Sequence, residues 1–190
     1  MFEILQNYFD KSSAITIFVL SILSIYFIIT MWIFIYRYFT LKRLISIEAH
    51  SLKKLYMSRT KSVDEKSLLF YYLNRVLIPN RAIFDVAKKS AIKSATSGLT
   101  GLSIIASTSP FIGLFGTVVA ILETFSNLGT QKGSSIAIVA PAISEALVAT
   151  AAGILVATFA YSFHLILQRK SYELSILLDS QADLILAQKA

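Results

Sequence analysis

Cysteine is absent from the 190-residue chain, which excludes disulfides, thiolate metal sites and cysteine nucleophiles. Acidic residues are scarce, with 11 Asp+Glu against 18 Lys+Arg and a net charge of +7. Only two histidines occur, His50 and His164, isolated and 164 − 50 = 114 positions apart, so neither finds a second metal ligand nearby. Glycine is thin at seven residues, and Gly113-Leu-Phe-Gly-Thr117 lacks the Gly-Lys pair of a phosphate-binding loop. The serines have no histidine-and-carboxylate setting that would mark a nucleophile. These absences leave no metal, no cofactor and no enzyme site to argue for.

What the chain does contain is apolar sequence: 55% hydrophobic residues and a mean hydropathy of +0.66, above the usage of soluble domains. The apolar residues come in long blocks separated by charged stretches, as a bilayer-spanning chain requires. No charge falls between Lys11 and Arg37, leaving 25 uncharged positions, enough for a helix to cross a hydrocarbon core of about 30 Å. The start of the chain lacks the basic residues of a cleaved signal, so this first span is expected to be retained. Trp32, Tyr36 and Tyr38 gather beside Arg37 as an aromatic belt at one membrane face. A second block runs from Ser94 to Gln131, interrupted by Glu123, and a third from Gly133 to Gln168, interrupted by Glu145.

The fold class expected is an all-α membrane protein with three transmembrane helices, two of them extended into a helical cytoplasmic domain. The divisions read as a periplasmic N-terminus over 1–12, span one over 13–36 and a cytoplasmic helical region over 37–103. Span two then covers 104–128, a periplasmic turn 129–134, span three 135–160 and a cytoplasmic extension 161–190. Orientation follows from charge: residues 37–93 hold 13 Lys+Arg against 4 Asp+Glu, a balance of 13 − 4 = +9. Positive charge confined to one loop between spans marks the cytoplasmic side, giving N-out and C-in, and argues against nucleic acid as partner. Within the loop, Ser62-Val-Asp-Glu65 is a capping-box pattern and Pro79-Asn80 a break, after which a helix is expected to run directly into span two. The tail repeats a helical pattern through Leu174, Ile176, Leu177, Leu178, Leu184 and Ile185.

Small residues dominate span three. Ala142, Ala146, Ala149, Gly153, Ala157 and Ala160 recur every three or four positions, and Gly113, Gly116 and Ala120 echo them in span two. Such stripes are packing surfaces that let membrane helices approach closely. Pro110 and Pro141 interrupt the two blocks, each freeing the carbonyl four residues earlier, here Ala106 and Ala137.

Glu145 lies 11 residues beyond Ser134, about 16 Å into the helix and close to the bilayer midplane. A charged side chain there costs at least about 2.5–3.5 kcal/mol, so it must face the protein interior or a cavity. A carboxyl can take up and release a proton, which is the chemistry a proton site uses. No basic residue occurs at similar depth to pair with it. Thr117, 12 residues before Gly129, is nearly level with Glu145 on the antiparallel neighbour. Thr150 is five residues from Glu145, about 140° around the helix, so periodicity alone does not put both on one face. Glu123, nearer the outer boundary, reads as a pore-mouth or interfacial carboxylate. A scaffold whose glutamate only bonds helices together remains the alternative.

Ser107-Thr-Ser-Pro-Phe-Ile-Gly-Leu-Phe-Gly-Thr117-Val closely resembles the second-helix signature of the ExbB/TolQ proteins, relatives of MotA. Ala140-Pro-Ala-Ile-Ser-Glu145-Ala-Leu-Val-Ala-Thr150-Ala-Ala-Gly is similar to their third-helix signature. The resemblance, most of all to ExbB, implies a ring, thought to be pentameric, around the single helices of an ExbD/TolR-type partner. It implies that the proton gradient drives a TonB- or TolA-type protein from the bacterial inner membrane. It also places Glu145 on the family's pore glutamate and Thr117 and Thr150 on its polar pore positions. ExbB and TolQ roles both stay open, as does proton against sodium.

Overall fold

The structure, a computed structural model, describes residues 14–57, 67–73, 81–130 and 136–187. Those residues are helical almost throughout, with no strand among them. The elements are α1 (Ala14–Met57), α2 (Leu68–Leu73), α3 (Arg81–Ala95), α4 (Leu99–Thr130) and α5 (Ile136–Ala187). Neither glycine nor proline occurs in α1, so nothing breaks its 44 residues. α5 runs for 52 residues despite Pro141, which lies close enough to its start to disturb only the opening turns. Among the described residues three helices are long and apolar enough to cross a membrane. The all-α, three-span class is what the structure shows. The N-terminal 1–12 segment, the Ser62–Glu65 capping box and the Pro79-Asn80 break lie outside the described residues. α4 keeps a helical backbone through Gly129 to Thr130.

Two compact units divide the chain: one from Met1–Trp32 and Gly101–Ser162, the other from Ile33–Thr100 and Phe163–Ala190. The first holds the apolar spans. Val19 and Leu23 of α1 pack with Ile105 of α4 and with Ala149, Val156 and Ala160 of α5. Phe27 meets Phe159 edge-on at 5.7 Å between ring centroids. Phe18, Ile28, Phe111, Phe115 and Leu122 point outward, each more than 60% exposed. Such a surface would be an aggregation hazard in water and is what lipid requires.

The second unit is built as a water-facing bundle. α3 buries Phe84, Ala87, Ala91 and Ala95 on one face and sends Lys88 to Asp179 at 2.5 Å and Arg81 to Asp183. Its partner α5 buries Leu167, Leu174, Leu178 and Ile185. α3 does not run directly into α4. A turn at Thr96–Gly98 separates them, and Gly98 takes a left-handed φ of 90° that ends α3 in the usual glycine manner. Arg37 steadies this end by donating to the Ser94 carbonyl at 3.2 Å, a favourable place for a cation at a helix C-terminus. His164 bonds the Leu99 carbonyl through Nδ1 at 3.0 Å; a carbonyl only accepts, so that nitrogen carries the proton.

Candidate functional site

The site lies on the seam between α4 and α5 in the apolar unit, and glycine makes the seam possible. A Cβ on Gly113 would stand 2.7 Å from the Ala149 carbonyl oxygen, and one on Gly153 would stand 2.6 Å from that of Ser109. The Gly153 position also faces the Gly113 Cα at 3.1 Å. Backbone therefore rests on backbone, the contact that small residues allow between membrane helices. Ala146 and Ala149 continue the seam, both at 0% exposure. Gly116 turns instead toward α1, where a Cβ would meet Val19 at 3.0 Å.

Because the backbones touch, short side chains can bridge the helices. The Thr117 hydroxyl lies 3.1 Å from the Ala146 carbonyl across the seam and 3.2 Å from the Gly113 carbonyl on its own helix. Thr150 reaches the same Gly113 carbonyl at 3.3 Å, and the two threonine hydroxyls bond one another. The two helices are antiparallel here, since Gly113 meets Ala149 while Ser109 meets Gly153. Each hydroxyl has one proton to donate and both carbonyls only accept. The hydroxyl pair can run in two orders: Thr150 donates to Thr117, which donates to Ala146 or to Gly113, or Thr117 donates to Thr150, which donates to Gly113. Rotating two O–H bonds converts one order into the other with no heavy atom displaced.

Glu145 stands half-buried on α5, beside Ala146 in sequence and so level with Thr117. Glu123 is exposed on α4. Pro110 is half-buried and Pro141 exposed; next to Pro110, the buried Ser109 hydroxyl donates to the Ile105 carbonyl at 2.6 Å. The structure therefore joins Thr117 to Thr150 directly, across helices, which spacing within one helix does not reveal. Among the described residues no group of three His, Asp or Glu side chains could hold a metal ion.

A second polar cluster escapes sequence reasoning altogether. In the water-facing unit Glu48, Ser51, Ser67 and Gln181 are all buried, three of them at 0% exposure. The Glu48 carboxylate accepts from the Leu68 amide at 2.7 Å, the Ser67 hydroxyl at 2.8 Å and the Gln181 amide at 2.9 Å. Gln181 also donates to the Glu48 carbonyl at 3.0 Å and accepts from Ser51 at 3.3 Å.

Comparison with known proteins falls on the same segments. A model of the MotA/TolQ/ExbB proton channel family matches residues 79–180. An ExbB-like biopolymer transport protein of Helicobacter pylori is 42% identical over 199 aligned positions, covering 100% of each chain. The biopolymer transport protein ExbB of Neisseria gonorrhoeae is 54% identical over 69 residues, 35% of this chain and 31% of that one. The Tol-Pal system protein TolQ of Pseudomonas aeruginosa is 48% identical over 61 residues, 32% of this chain and 26% of that one.

Proposed function

Because the chain belongs to the MotA/TolQ/ExbB proton channel family, we propose that it is the ring-forming subunit of a motor driven by the proton gradient. It sits as a multi-pass protein in the bacterial inner membrane, N-terminus in the periplasm and C-terminus in the cytoplasm. Copies of the chain form a ring, on our reading a pentamer, embedded in lipid around a single-span ExbD/TolR-type partner. Ion movement through that ring energises a TonB- or TolA-type protein that works on the outer membrane. The chain catalyses no covalent chemistry in this reading. The ExbB-like role is favoured over a TolQ-like one because the ExbB-like relative matches along its whole length.

The observation that carries the reading is the Thr117–Thr150 hydroxyl pair, set in an apolar seam level with Glu145. In lipid an ionisable side chain is expensive, and its presence points to an ion pathway. Glu145 holds or passes the ion, Thr117 and Thr150 supply a reorientable polar wall, and Glu123 stands toward the outer mouth. Pro110, Gly113, Gly116, Pro141, Ala149 and Gly153 shape and pack the helices that carry it. The scaffold reading has one observation of its own: Thr117 also bonds a carbonyl of its own helix, as membrane threonines with no ionic role do.

Glu145→Gln separates the two. Co-expressed with its partner, the variant should assemble normally and lose gradient-dependent uptake or growth by at least about tenfold, equivalent to about 1.4 kcal/mol in the driving step. Full activity would remove Glu145 from the ion path and leave the scaffold.

A further inference from the structure

The buried cluster around Glu48 takes no part in the proposed ion path, yet it occupies a defined place in the packing. Through the water-facing unit α1 and α5 run in the same direction, since Phe34 stacks on Phe163 at 3.9 Å and Ser51 bonds Gln181 further along both. Their innermost residues recur every seven positions. On α1 these are Leu41, Glu48 and Leu55, at 1%, 0% and 2% exposure; on α5 they are Leu167, Leu174 and Gln181, each at 0%. A seven-residue repeat is the pattern of coiled-coil seams, where leucine layers are interchangeable and a polar core residue fixes the register.

We infer that Glu48 and Gln181 form the register key of this helix pair, a buried polar layer that selects one axial alignment of α1 against α5. A slip of one heptad keeps leucine against leucine only where Leu41 would meet Leu167; in that alignment Glu48 faces Leu174, and the opposite slip sets Gln181 against Leu41. Either slip moves the Gln181 amide away from its four described hydrogen bonds, to Glu48, Ser51 and Ser67, and against Leu55 or Leu41. The carboxylate also anchors the start of α2 through the Leu68 amide and Ser67, so a slipped pair loses that segment as well. In this proposal the layer contributes selectivity of alignment rather than net stability, the use best attested for a buried polar residue in a coiled-coil seam. α5 is the same unbroken helix that bears Glu145 and Thr150.

The natural chain has no cysteine, so Tyr56→Cys and Tyr172→Cys, both at exposed positions on the two helices, give a clean spin-label pair. Labelled full-length chain is diluted into unlabelled chain, assembled, and its label-to-label distance measured. With the native layer we expect one narrow distance. In Glu48→Leu/Gln181→Leu a second population should appear, displaced along the axis by about 10 Å, one heptad at 1.5 Å per residue. The exchanged pair Glu48→Gln/Gln181→Glu should return to one distance, because an amide again faces a carboxylate. A single unchanged distance in the leucine variant overturns the proposal. So does a leucine variant that fails to fold, since the layer would then be needed for stability rather than choice of register. The distance readout is independent of ion flow, so its failure leaves the ion-path reading untouched, and the reverse holds.

Discussion

α1 and α5 pass through both units of the chain, and the two units hold them by opposite means. In the apolar unit the tight contacts are glycine and alanine backbones pressed together, with hydroxyls as the bridging groups. In the water-facing unit the contacts are leucines at heptad spacing, ion pairs to α3 and a buried carboxylate–amide layer. Solvent explains the difference. Lipid offers no hydrophobic gain when two apolar helices meet, so close packing and short polar bridges must do it. Water rewards burying leucine, and long side chains then serve better than none.

That contrast ranks the consequences of mutation. Leu174→Ala, in a fully buried layer of the water-facing unit, should cost about 2–5 kcal/mol, read as a lower melting temperature in detergent. Gly153→Val drives a branched side chain into the Ser109 carbonyl, where even a Cβ sits at 2.6 Å. It should cost about 1–3 kcal/mol or more and abolish assembly, whereas a valine at exposed Ser144 should be tolerated. Thr150→Val removes one bridging hydroxyl at nearly constant shape. Its effect on stability should be about 0.6 kcal/mol, so activity lost beyond that identifies an ionic role. Smallest of all is Asp183→Asn, because the Arg81–Asp183 pair is more than half exposed on both sides. The melting temperature should barely move, and less still as salt is added. Equal sensitivity of the two units to glycine replacement would erase the contrast.

The parts legible in the sequence were those written in one dimension. Three long apolar blocks predict three spans, and the small residues of span three announce a close seam before any partner helix is known. Thr150 was harder, because its partner is Thr117 on another helix, and the angle from Glu145 along α5 says nothing about that. Glu48 and Gln181 escaped because a search for apolar periodicity passes over polar residues, although both sit on the seven-residue ladder of their leucines. The break before α4 was hidden for a different reason: Gly98 lies among residues with helical spacing, and only its left-handed φ ends the helix.

The most direct test of the ion-path claim is proton uptake into liposomes carrying the chain together with its single-span partner. Thr117→Val/Thr150→Val keeps the volume of the seam and removes both reorientable hydroxyls. The account predicts an assembled complex whose uptake falls at least about tenfold, or about 1.4 kcal/mol in the barrier. Uptake equal to the native complex would contradict it and assign the threonine pair to packing alone.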